Sequence, residues 1–142
     1  MVDIEEEKRL IEEVVQGLVE ADISKDLDRV MAFFAEDIIY HVSGLPPIFG
    51  KNAVRQYLDG AFDLVEDMKA GSDRTEVSAS GDIAYSIGWL KSKRYSWDDY
   101  LDYKFFLALR KTVDGWKIVA ESGSRNDREG GEFYGLHPRD ER

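Results

Sequence analysis

The apolar residues change their period part-way along the chain, and that change limits the architectures open to it. Ile4, Ile11, Val14, Val15 and Leu18 recur at helical spacing, with Glu5, Glu6, Lys8, Arg9, Glu12 and Glu13 on the opposite side. That is an amphipathic helix. Asp3 is placed to cap it, and the glutamates behind it suit the positive end of the helix dipole. A polar break at Ser24-Lys25-Asp26 precedes a second helix, capped by Asp26, with Leu27, Val30, Met31 and Phe34 as its apolar face. The β-branched and aromatic run Ile38-Ile39-Tyr40-His41-Val42 then reads as a strand. Consecutive prolines keep Ser43-Gly44-Leu45-Pro46-Pro47 irregular. A third helix follows Gly50, with Asn52 as cap and Val54, Tyr57, Leu58, Ala61 and Phe62 as its buried stripe.

From about residue 68 the pattern becomes that of a β-meander. Strands are expected at Arg74 to Ala79, Ile83 to Lys91, Tyr103 to Lys111 and Trp116 to Ser124. Ser80-Gly81-Asp82 and Asp114-Gly115 have turn chemistry. Ser92 to Asp102 is polar but carries Tyr95, Trp97 and Tyr100, as a long hairpin end or a flap. Helices set apart from a curled antiparallel sheet make an α+β domain, here residues 1–125, followed by a polar C-terminal tail at 126–142. Three helices cover only one face of such a sheet. The concave side then encloses a pocket, and the convex side is left for a partner.

Composition narrows the chemistry. The 142 residues carry 19 basic and 29 acidic side chains, a formal net charge of −10. Such a chain lacks the basic face that nucleic acid or an anionic membrane requires. There is no cysteine, so disulfides, thiolate nucleophiles, zinc fingers and iron–sulfur clusters are excluded. His41 and His137 are the only histidines, too few for a three-histidine metal site. The acidic start, Met1-Val2-Asp3-Ile4-Glu5-Glu6-Glu7, lacks the layout of a signal peptide, and a cytoplasmic protein is expected.

Val14-Val15-Gln16, Asp26-Leu27-Asp28, Phe34-Ala35-Glu36-Asp37, Leu45-Pro46-Pro47, Gly50, Ala53-Val54, Ser80-Gly81-Asp82 and Gly115-Trp116-Lys117-Ile118 stand in a telling order. In that order and spacing the chain resembles the cone-shaped nuclear-transport-factor-2-like fold, in its SnoaL-like and ketosteroid-isomerase-like branch. The resemblance implies a deep pocket and a fold that hosts isomerases, cyclases, epoxide hydrolases, dehydratases and non-catalytic binding modules. It does not carry over the known catalytic sets. The ketosteroid-isomerase positions fall on Leu18, Val42 and approximately Leu107. Those of limonene epoxide hydrolase fall on Tyr40, Val42, near Ile87 and Trp89, and near Gly123. Of all these only Tyr40 keeps a family residue.

Strand alternation gives an independent choice of site residues. With Val42 facing the pocket, Tyr40 and Ile38 face it too and His41 points away. The bulkier set Tyr85, Ile87 and Trp89 is expected inward in its strand. Tyr103, Phe105 and Leu107 follow in the next, and Val119, Glu121, Gly123 and Arg125 in the last. Glu121, in an otherwise apolar strand, is either an acid–base group tuned by desolvation, or an ion-pair partner of Arg125 or another inward cation, or a carboxylate at a solvated pocket mouth. The candidate catalytic residues are Glu121 and Tyr40. The candidate substrate-binding residues are Tyr85, Trp89, Tyr103, Val42 and Arg125.

The expected function is binding of a small, largely apolar molecule; if the protein is an enzyme, its chemistry is acid–base and needs no metal or organic cofactor. A homodimer through the convex face is expected. A non-catalytic dimerisation or ligand-binding module of the same fold is the alternative. A Glu121 within reach of a tyrosine in an open cavity favours catalysis. A Glu121 locked against Arg125, in a cone filled by Trp89 and Phe105, favours the module.

Overall fold

Asp3 caps α1 (Ile4–Ile23), its carboxylate accepting the backbone N–H of Glu6 at 3.1 Å. The computed structural model describes residues 1–126. Asp26 caps α2 (Leu27–Ala32) in the same way through Arg29. This second helix is shorter than its apolar spacing suggests, so Phe34 begins β1 (Phe34–Val42) instead of ending a helix. The irregular loop leads into β2 (Ile48–Phe49), then α3 (Lys51–Ala61). The cap of α3 is Gly50 and not Asn52, because the chain leaves β2 with φ +88 at that residue, a conformation glycine adopts without penalty. A single 3₁₀ turn, Phe62–Leu64, precedes β3 (Val65–Val77), β4 (Ile83–Arg94), β5 (Leu101–Thr112) and β6 (Gly115–Arg125).

The six strands form one curved sheet in the order β2-β1-β6-β5-β4-β3. All neighbours are antiparallel except β1 and β6, which run parallel. The sheet is therefore mixed, where a purely antiparallel one was expected. The meander of β3 to β6 brings its last strand back beside a strand made before α3.

Ile11 of α1, Ile38 of β1, Val54 of α3, Leu109 of β5 and Ile118 of β6 have no accessible surface and belong to one apolar cluster. Burying each such side chain stabilises the fold by about 1.5–3 kcal/mol. Glu7 fastens α1 to the β5–β6 hairpin, accepting from the Trp116 indole at 2.7 Å and from the Lys111 ammonium.

Register decides which side chains meet. One row on the concave face runs Ile48, Tyr40, Glu121, Leu107 and Ser86. On the convex face Ile39 pairs with Phe49 and Ala120, and Ile87 pairs with Phe106. The β4 expectation is thus corrected. Tyr85, Ile87 and Trp89 lie on the convex face, with Ile87 and Trp89 exposed, and Ala84, Ser86 and Gly88 turn inward. The physical reason is space on the inside of a tight bend. A Cβ on Gly88 would stand 2.1 Å from the Gly71 carbonyl oxygen and 2.5 Å from the Phe105 ring, so only the small set fits there. Outside, the Trp89 indole lies against Gly71, 2.8 Å from where a Cβ would be.

Among the described residues no helix is long and apolar enough to cross a membrane. The expected tail from residue 127 onward, with His137, lies outside the described residues.

Candidate functional site

The concave face, α1, α3 and the 3₁₀ turn surround a cavity of about 250 Å³. Most of its wall is apolar, including Val15, Leu18, Phe34, Phe62, Phe105 and Leu107. The polar groups on it are Asp22, Tyr40, Tyr57, Ser92, Arg94, Tyr103 and Glu121.

Glu121 reaches this wall because β6 is bulged. The β5–β6 register jumps between Ala108 and Leu109, so that Leu109 faces Ile118 while Leu107 faces Glu121. The extra residue in β6 lets both Ile118 and Glu121 point inward although strict alternation would oppose them. Bulges beside functional sites re-aim side chains in this way. Tyr40 sits directly beside Glu121 in the parallel β1/β6 pair, and its phenol is the neighbour that favours the ionised Glu121 carboxyl.

Burial lifts the Glu121 carboxyl to a pKa of about 7, the Tyr40 hydrogen bond pulls it down, and the negative field of Asp22 adds to the rise. An apolar enclosure penalises the charged form of an acid, and a neighbouring like charge does the same. Burial also pushes the Tyr40 phenol well up, with Glu121 as the next cause, so Tyr40 keeps its proton and acts as a donor.

Asp22 is the residue that strand-based reasoning missed. Burial raises it to about 7 as well, against the pull of Lys25. The sequence does carry a signal for it. Ile11, Val15, Leu18 and Asp22 continue one helical stripe, so a carboxylate closes the buried face of α1. Tyr57, expected as core, lines the cavity and packs on Tyr40 with ring centroids 6.0 Å apart. Arg94 lines it from β4 and lies 4.9 Å from the centre of the Trp97 ring.

The other candidates separate. Tyr103 lines the cavity with Tyr40 and Glu121. Val42 shares their face, beside Gly123, but is not part of the cavity wall. Arg125 is exposed, pairs in register with Tyr103, and is not among the groups that set the Glu121 protonation. Tyr85 and Trp89 do not reach the cavity. Tyr85 stacks on Phe106 across the convex face, centroids 5.9 Å apart, and Trp89 borders a separate depression with Asp73 and Asp102. His41 is exposed. Among the described residues no group of three or more acidic or histidine side chains converges to hold a metal ion.

Residues 11–126 match the family model of the SnoaL-like domain. The chain belongs to the SnoaL-like family. Solved structures agree on the fold. A ketosteroid isomerase-like protein from Erwinia carotovora atroseptica is 21% identical, covering 84% of this chain and 95% of its own, with a TM-score of 0.72. An NTF-2 like protein from Shewanella oneidensis is 22% identical over 82% of this chain and 98% of its own, with a TM-score of 0.70. A hexachlorocyclohexane dehydrochlorinase, 10% identical over 84% of this chain and 85% of its own, superposes with a TM-score of 0.66. SnoaL-like chains share this cone, so the family gives the scaffold and the side chains in the cavity must give the chemistry.

Proposed function

We propose that the cavity binds a small, largely apolar molecule and that Glu121 transfers a proton on it, with Tyr40 holding the Glu121 carboxyl in place. The observation that carries this reading is a carboxyl with a pKa of about 7, set beside a tyrosine donor in an apolar cavity. A base or acid poised near the working pH is the most effective proton-transfer group. The volume lies between the ~150 Å³ void that holds benzene and the ~300 Å³ lower end of ligand pockets, so the ligand is of one- or two-ring size. The dehydrochlorinase of the same fold is named for loss of hydrogen chloride from a ring compound of that size.

The convex face supports a second part of the reading. Ile39, Phe49, Ile83, Ile87, Trp89 and Phe106 are all exposed in the single chain. All six lie on neighbouring rows of one sheet face. Patches of this kind mark contact surfaces, and a second copy of the chain is the occupant we assign. The acidic, cysteine-free composition is in keeping with a cytoplasmic protein.

The catalytic reading is tested by α-proton exchange of a bicyclic ketone, 2-tetralone, in deuterated water, followed by NMR. Wild type is expected to accelerate exchange, and Glu121→Gln to lose that acceleration by roughly 10²–10⁴-fold. Equal rates for the two proteins, with 2-tetralone bound to both, leave a binding module without proton transfer.

A further inference from the structure

The cavity holds a second carboxyl that the proposed chemistry has not used. Asp22 comes from the last turn of α1, on the opposite side of the cone from the sheet, yet it lines the same cavity as Glu121. The charge of Asp22 opposes ionisation of both Glu121 and Tyr40. Lys25 is the cation that favours ionised Asp22, and its ammonium is already bound to the backbone carbonyls of Phe62 and Val65. The other titratable or charged groups on the cavity wall are Tyr40 of β1, Tyr57 of α3, Arg94 of β4 and Tyr103 of β5. Of these, only Tyr40 affects the Glu121 carboxyl, and it does so as a neutral donor.

We propose that Asp22 and Glu121 form a proton-sharing pair, one carboxyl protonated while the other is ionised, so that the cavity offers its ligand one acid and one base together. Two carboxylates in one low-dielectric site cannot both ionise readily, and their protons leave in two steps that belong to the pair. The inference rests on the proposed role of Glu121 and adds the ligand class. A molecule that surrenders a proton at one atom and receives one at another meets both halves of the site. The proton taken by the ionised carboxyl and the proton given by the other balance, and the pair ends with the count it began with.

The test needs no ligand. Side-chain carboxyl carbons are labelled in aspartate and glutamate and followed by NMR between pH 4 and 9. In wild type both resonances are expected to show two inflections, each reporting the titration of the other. Asp22→Asn is expected to turn the Glu121 curve into a single step at lower pH, and Glu121→Gln is expected to do the same to Asp22. Single, independent steps in wild type overturn the pair, as does a Glu121 curve unmoved by Asp22→Asn. If Glu121 still titrates near 7 in that case, its own proposed role stands. If Glu121 titrates in the ordinary carboxylate range, both readings fall. The wild-type curve decides the matter even where a variant does not fold.

Discussion

Tyr40 and Glu121 are direct neighbours across the only parallel strand pair of the described sheet, and the phenol of one favours the ionised carboxyl of the other. Direct cross-strand pairing fixes both side chains on one row of the concave face. Each then reaches the cavity without a loop to position it.

A hydrogen bond donated to a carboxyl favours its ionised form. Tyr40→Phe keeps the ring and removes the donor, so the Glu121 midpoint is expected to move upward from about 7. Carboxyl NMR reads the shift, and the acidic limb of any Glu121-dependent pH–rate profile moves with it. A midpoint that stays in place or falls would show that the two groups do not interact in solution.

The raised carboxyls also make stability depend on pH. Glu121 has a midpoint of about 7 against an ordinary value of 4.5, and Asp22 about 7 against 3.8. The folded state therefore binds protons more tightly than the unfolded chain. This contribution is fully present below about pH 4 and is lost as pH rises through 7. For Glu121 alone the ionised carboxyl costs the fold on the order of 3 kcal/mol. Glu7, Asp37, Asp67 and Asp82 are held below their ordinary values by Lys111, Arg110, Tyr100 and Ser80 respectively. They act in the opposite sense, losing stability in acid. Melting temperature is accordingly expected to peak near pH 5 and to fall toward pH 8. Glu121→Gln should gain on wild type as pH rises from 5 to 8. Parallel curves for the two proteins would remove the buried charge from the account.

Much of this architecture is legible in the chain. The caps Asp3 and Asp26, the Asp114-Gly115 turn and the inward set Tyr103, Phe105 and Leu107 follow from local chemistry and period. What alternation cannot deliver is curvature. In β4 the rule that bulky side chains fill the interior fails, because the bend brings Gly71 and Phe105 against Gly88 and leaves no room there. In β6 alternation places Val119 with Glu121, yet the bulge that separates them sends Ile118 inward instead. Asp22 escaped attention because a carboxylate near the end of a helix reads as solvated surface. Only its place on the stripe of Ile11, Val15 and Leu18 says otherwise.

Gly88 carries the tightest of these constraints. The atom that meets its would-be Cβ at 2.1 Å is the backbone oxygen of Gly71, which cannot swing aside as a side chain can. Gly88→Ala is therefore expected to force β3 and β4 apart and to destabilise the protein by about 3 kcal/mol or more. At Gly71→Ala the atoms nearest the new Cβ are those of the Trp89 indole. That ring is 40% exposed and can tilt outward, so its cost should be smaller. Urea unfolding of the two variants gives the ranking, and a reversed order would mean that β3 and β4 are spaced more widely than described.

The convex face makes the last prediction. Ile87 and Phe106 are direct cross-strand partners, and they are 38% and 43% exposed in the single chain. Replacing Ile87 with Lys leaves the Tyr85–Phe106 stack intact and puts a charge at the centre of the patch. Nothing buried in the single chain is disturbed, so the circular dichroism spectrum should be unchanged. If a second copy covers this face, light scattering should find wild type at twice the 16.3 kDa chain mass and Ile87→Lys at the single mass. Burying a lone ammonium against an apolar partner costs several kcal/mol, enough to separate the subunits at micromolar concentration. Wild type at the single mass would leave the patch without its assigned occupant, and a dimeric Ile87→Lys would place the interface elsewhere on the molecule.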